Sequence, residues 1–356
     1  MQPGVVMSDF VEFPEKDYVD AGNVFESFNG ATSDFTLENA LAMMWFAQLA
    51  YEVDESGQNR NAQKIETVRK LWGFTSITPF LHRAVTFGSA LHTTGLIGVH
   101  NKAIVLAFAG TDPGIWETAA TDARVDLGAK NTHAGFQAAF DAVAPVVNGK
   151  TSGPVGNAMA LRTDAQRLFI TGHSLGAAIG ILAAAAADAE GVEVKAMYGF
   201  GTPRPGGTTF RDAYNTALGK RTYRMVHGRD IVARVPMFTG YSHVGRLLRC
   251  KQGTKFNRSD LTDDVSPDTV FSRDYIKEIA AHLLGGGIFG FVKSLVMNPP
   301  HDFAQLAQAV KAQLPERGTG PLAEWFRALP PFIREHLEDQ YIKALTPGAA
   351  RIRSDV

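Results

Sequence analysis

The sequence predicts an α/β fold, a central mostly parallel sheet flanked by helices, and three observations carry that prediction. Apolar runs of strand length alternate with longer runs at helical spacing, the pattern of a sheet covered on both faces. One short apolar run, Leu168–Thr171, passes through Gly172-His173-Ser174-Leu175-Gly176 straight into an alanine-rich run from Ala177 to Ala189, which reads as strand, sharp turn and close-packed helix. Two β-rich runs, Thr93–Val99 and Lys102–Phe108, are separated only by His100-Asn101 and read as a hairpin.

The elements follow in order. Residues 1–35 are mixed in character, with Asp9, Glu12, Glu15 and Asp17 keeping them acidic, and read as a loosely structured N-terminal lead-in. Thr36 to Tyr51 places Leu37, Leu41, Met44, Trp45 and Leu49 at helical spacing behind Thr36 as N-cap, the pattern of a core helix. Further strands are expected at Val194–Phe200, Thr222–Val226 and Tyr241–Leu248, with helical material between them. From Lys251 the character changes: a polar stretch to Ser272, then amphipathic runs Tyr275–Leu284 and Phe303–Leu314 around the Gly-rich apolar piece 285–297. Residues 251–320 therefore read as a helical insertion or cap over the sheet, and residues 36–356 as one catalytic domain that includes it.

Composition bounds the function. The chain has 356 residues, 45% hydrophobic and 20% charged, with a formal net charge of -1. That gives ample material for a core and no electrostatic reason to expect nucleic acid as a partner. The single cysteine, Cys250, excludes an intramolecular disulfide and cysteine-based metal sites. No stretch approaches the ~20 apolar residues that span a bilayer. Residues 1–20 lack a basic start, an apolar run and a small-residue cleavage site, so the expectation is a cytoplasmic chain or one exported by a non-standard route.

The chemistry starts at the glycine-flanked serine. A G-x-S-x-G segment between a strand and a helix is the nucleophile-elbow pattern. Ser174 sits at the apex of a strained turn, and the following helix aims its free N–H groups, and the positive end of its dipole, where an oxyanion would form. A serine hydroxyl needs a histidine to take its proton and a carboxylate to orient that histidine, in the chain order Ser, acid, His on this elbow. Asp230, in the loop after the strand at Thr222–Val226, occupies the strand end where catalytic groups collect. Among the downstream histidines, His243 falls within a strand pattern and His282 within an apolar helix, where a structural role fits better. His301 and His336 each follow a Pro-Pro pair and open a helical run, and spacing does not separate them.

These residues resemble the class 3 lipases of the α/β-hydrolase fold. Gly172 to Ala177 is similar to that family's elbow, Phe108-Ala109-Gly110-Thr111 to its oxyanion segment, and His133-Ala134-Gly135-Phe136 to its His-x-Gly-Phe motif. Tyr198 to Gly206 resembles its Gly-x-Pro-Arg-x-Gly segment, Tyr223 to Pro236 the run that carries its acid, and Tyr241 to Gly245 a strand near the end of its core. The resemblance implies Ser174 as nucleophile, Asp230 as orienting acid, and the backbone N–H groups of Thr111 and Leu175 as the oxyanion hole. It also implies His336 as base, because Glu335 to Ile342 looks like the family's His-x3-4-Tyr helix entry, whereas His243 matches a non-catalytic position. Two departures stand out. Ala109 replaces the usual arginine, and Asp230 and His336 are far apart in the chain, which requires 251–320 to loop out and back at a closure cost that grows only slowly with length.

The implied activity is a serine esterase or lipase cleaving carboxylic esters of lipids, of the triacylglycerol type, needing no metal or organic cofactor. Its partners would be a lipid ester and, transiently, the lipid–water interface. Ile115 and Trp116, in the segment 112–127 that forms the cover in that family, are the expected substrate contacts, and the apolar side chains of the insertion offer a second wall for the acyl chain. Two alternatives stand beside this reading: a phospholipase or polyester depolymerase with the same triad, and a non-catalytic lipid-binding protein on a hydrolase scaffold.

Overall fold

A computed structural model describes residues 11–53, 61–86, 89–110, 127–128, 130–230, 232–234, 240–263, 334–348 and 352. Seven strands form one sheet in chain order: β1 (Phe74–Thr86), β2 (Ser89–His100), β3 (Ala103–Phe108), β4 (Arg167–His173), β5 (Val194–Phe200), β6 (Thr222–His227) and β7 (Arg246–Cys250). The β1–β2–β3 meander is antiparallel; from β3 to β7 every neighbouring pair is parallel. Parallel neighbours need crossovers, and helices supply them: α4 (Ala134–Val143) and α5 (Gly153–Leu161) between β3 and β4, α6 (Leu175–Ala189) between β4 and β5, and α7 (Thr208–Ala217) between β5 and β6. The fold is an α/β fold, a mostly parallel central sheet flanked by helices.

Every side chain of β3 is buried, as are six of the seven in β4. A strand covered on both faces reads as a continuous apolar run rather than an alternation, which is why both were legible. On one face, Ile104, Leu106, Phe108 and Ile170 pack with the alanines of α6 and with Phe136 and Phe140 of α4. On the other, Val105, Ala107 and Phe169 pack with three N-terminal helices, α1 (Glu15–Ala21), α2 (Leu37–Leu49) and α3 (Ala62–Leu71), and with a late helix, α8 (Glu338–Leu345). Thr36 caps α2 by accepting from the Asn39 N–H at 3.1 Å, and Thr171 Oγ1 of β4 donates to the Met43 carbonyl of that helix at 3.1 Å.

Two expectations are corrected. Residues 11–35 are not a loose lead-in: Phe13, Tyr18, Phe25, Phe28 and Phe35 are all buried in the core. These aromatics recur with no helical or strand period, because much of the segment runs as irregular chain around α1. The strand expected at Tyr241–Leu248 is two pieces. Tyr241 and Ser242 pair antiparallel with Gly207 and Gly206, whereas β7 pairs parallel with β6; between them Gly245 adopts φ +71 and breaks the run. The sequence reading also missed β1 and α3. Of the expected insertion, residues 251–263 are described, with Phe256 buried and its N–H donating to the Ala344 carbonyl at 3.1 Å; the remainder, 264–320, lies outside the described residues.

Candidate active site

The parallel strands end on one edge, and β4 and β6 deliver the first two site residues there. Ser174 follows β4 directly and is the N-cap of α6, with φ 57 and ψ -129. Such a conformation costs a non-glycine residue of order 1–3 kcal/mol and persists only where its surroundings impose it. Here they do: the Ser174 N–H donates to the Phe200 carbonyl of β5 at 2.9 Å, and its carbonyl accepts from Ala177 at 3.0 Å. The flanking glycines are required by close approach. A Cβ on Gly172 would lie 2.4 Å from the Gly176 backbone, and one on Gly176 would lie 2.3 Å from the Phe108 carbonyl oxygen. Leu175 is the first residue of α6, so its N–H belongs to the helix's unsatisfied first turn.

Asp230 lies in the turn after β6 and is fully buried. Its Oδ2 accepts from His336 Nδ1 at 2.8 Å and from the Tyr341 hydroxyl at 2.6 Å, while Oδ1 accepts from the Val232 N–H at 2.8 Å. Burial pushes the carboxyl up, but the attraction of His336, the hydrogen bonds from His336 and Tyr341, and the nearby His173 hold it below the usual 3.8. Burial pushes the His336 imidazole below its usual 6.5; Asp230 opposes this and His173 reinforces it. The direction for the pair is an ionised carboxylate beside a neutral imidazole at neutral pH, the state in which His336 can accept a proton.

Gly201 shows how tightly the pair is backed. With φ +57, it places its backbone so close that a Cβ would fall 2.7 Å from both Asp230 Oδ2 and His336 Nδ1. The preceding residue, Phe200, holds Ser174, so the end of β5 and the residue after it touch all three.

The structure thus brings Asp230 and His336 into hydrogen-bond contact across 106 residues, with Ser174 on the same edge. Ser174 Oγ is buried and makes no hydrogen bond to a described residue. Catalytic hydrogen bonds commonly tighten only when substrate arrives. Thr111, Ile115, Trp116 and His301 lie outside the described residues, as does His282. His243 is buried, with Nε2 2.9 Å from the Ala233 carbonyl, a structural setting. No group of three or more metal-ligating side chains occurs among the described residues.

Sequence reasoning gave no role to four residues that line this edge: Tyr341, His173, Tyr51 and Glu338. Tyr341 was visible as the tyrosine of the His-x3-4-Tyr pattern, but its partner was not. His173 filled a variable slot of the elbow. Tyr51 and Glu338 carried no signal beyond the ends of apolar helices.

The family description "Lipase (class 3)" matches residues 106–240, a stretch that contains both Ser174 and Asp230. Over these residues the chain is similar to the class 3 lipases. Among its curated relatives, the secreted mono- and diacylglycerol lipase 1 of Fusarium solani is 33% identical over 112 residues, 31% of this chain and 32% of that one. Phospholipase A1-II 6 of Oryza sativa subsp. japonica is 38% identical over 101 residues, 24% of each chain. The matches to these two thus span a third or less of the relatives' length. A solved mono- and diacylglycerol lipase from Aspergillus oryzae superposes at 21% identity and TM-score 0.47, covering 64% of this chain and 85% of that one. No helix among the described residues is long and apolar enough to cross a membrane.

Proposed function

We propose that this chain hydrolyses carboxylic esters of lipids through an acyl-enzyme. The observation that carries this reading is the buried 2.8 Å contact between Asp230 and His336 on the strand edge that holds the strained Ser174. Ser174 Oγ attacks the ester carbonyl carbon while neutral His336 takes its proton, and Asp230 stabilises the imidazolium that forms. The negative charge on the former carbonyl oxygen falls at the N-terminus of α6, where the Leu175 N–H is one donor; Thr111 is assigned as the second by resemblance alone. Collapse of the tetrahedral species expels the alcohol, protonated by His336. Water activated by the same imidazole then releases the fatty acid and restores the serine.

Acylglycerols are the substrate class named for the fungal relatives, and we extend it to this chain, together with transient contact at a lipid–water interface and export. Ile115 and Trp116 are retained as proposed acyl contacts. The rice relative's name makes phospholipid the second substrate to test. Hydrolysis of mono-, di- and triacylglycerol and of phosphatidylcholine is to be measured for the wild type and for Ser174→Ala, His336→Ala and His301→Ala. We expect Ser174→Ala and His336→Ala to lose about 10⁴-fold or more in kcat, with His301→Ala close to wild type. Activity that survives Ser174→Ala in folded protein overturns the reading.

A further inference from the structure

A second acid–histidine pair is buried beside the first and uses neither the nucleophile nor the acid. His173, the residue before Ser174, places its Nε2 2.7 Å from the His336 carbonyl oxygen. A carbonyl only accepts, so this nitrogen carries the hydrogen. On the other side of the ring, Nδ1 lies 2.7 Å from the Tyr51 hydroxyl and 3.1 Å from Glu338 Oε1. Tyr51 comes from the short helical turn after α2, and Glu338 is the first residue of α8. The base segment is therefore held at two points, its backbone at 336 and its carboxylate at 338, by the side chain next to the nucleophile. The His173 and His336 rings face each other with centroids 4.5 Å apart and planes 30° apart.

We propose that His173, anchored by Glu338 and Tyr51, is a positioning residue that sets the distance and angle between the His336 imidazole and Ser174. The inference rests on the proposed role of His336 as base. Its physical ground is cost. Burying a carboxylate and an imidazole is expensive, and a buried pair of this kind adds little net stability over packed apolar side chains. What such a network supplies is a fixed geometry, and proton transfer is sensitive to displacements of about 1 Å. Glu338 fits the anchor: burial pushes its carboxyl up, yet the attraction and hydrogen bond of His173 hold it below the usual 4.5.

The test compares His173→Gln, whose amide N–H reaches about as far as Nε2, with His173→Asn, whose amide stops near Nδ1. Glu338→Gln is the second route if a His173 variant does not fold. Full-length proteins are assayed with a soluble short-chain p-nitrophenyl ester, with thermal midpoints recorded. We expect His173→Asn to lose 10- to 100-fold in kcat with KM within twofold, His173→Gln to stay within about fivefold of wild type, and Glu338→Gln to fall about tenfold in kcat alone. Folded His173→Asn or Glu338→Gln with wild-type kcat overturns the proposal, as does a His173→Gln variant no better than His173→Asn. His336→Ala in the same assay separates the two levels. If it is inactive while His173→Asn is fully active, only the clamp fails; if it is active, the base assignment fails and the clamp with it.

Discussion

On one face of β4, α6 lays Ala177, Ala178, Ala183, Ala184 and Ala187 against the sheet, all buried. On the other, Trp45, Trp72, Phe46, Phe25 and Tyr18 form an aromatic layer many side chains deep, with Phe46 stacked on Phe74 at 5.0 Å and Trp45 edge-on to Phe13 at 6.0 Å. The alanine face lets a helix lie close, so that its first turn meets the end of β4 at the nucleophile. The aromatic face holds segments far apart in sequence, residues 11–53 and 334–348, and the second of these delivers His336. One face is thus built by immediate chain neighbours and the other by long-range packing, and the site lies at the edge where they meet.

Three measurements would break or sharpen that contrast. The largest effect is expected on the aromatic face. Trp45→Ala empties a site surrounded by Phe13, Tyr18 and Trp72 and should cost roughly 3–5 kcal/mol in urea unfolding. A cost under about 1 kcal/mol would mean that this layer is not close-packed. Next comes pH on the alanine face. His133 caps α4 by accepting from the Phe136 N–H, and burial lowers its pKa from 6.5 to about 4. The folded state then binds fewer protons than the unfolded one, so the stabilisation is complete above pH 6.5 and is lost as pH falls toward 4, a contribution on the order of 3 kcal/mol. His133→Gln should flatten the stability profile across that window, and an unchanged slope would refute the assignment. The smallest change is expected from Ala183→Leu, which overfills the close helix–sheet contact and should destabilise by about 1–3 kcal/mol. Neutrality there would show room that the alanine packing denies.

The same contrast explains what could be read in the sequence. Strands β3, β4 and β5 and the helix α6 are continuous apolar runs in register with their own turns, and the glycines at 172 and 176 announce the elbow by the room they leave. Asp230 was legible as a loop residue after a strand. His336 was not separable from His301 by spacing, because the contacts His336 makes are with residues 106 and 163 positions away. The N-terminal aromatics failed for the same reason: Phe13, Phe25 and Phe35 pack into the core through contacts far along the chain rather than at a period. Glu338 and His173 looked like a helix-opening acid and a filler residue until the fold brought them together.

The late position of residues 334–348 has a consequence in time. Ribosomal synthesis makes the serine and the carboxylate more than a hundred residues before the imidazole. On the proposed mechanism, a chain whose residues 334–348 have not yet docked against α2 and β6 has its nucleophile and acid but lacks the proposed base. Ester hydrolysis by that mechanism would therefore begin only after translation of residue 336 and docking of the helix that follows it.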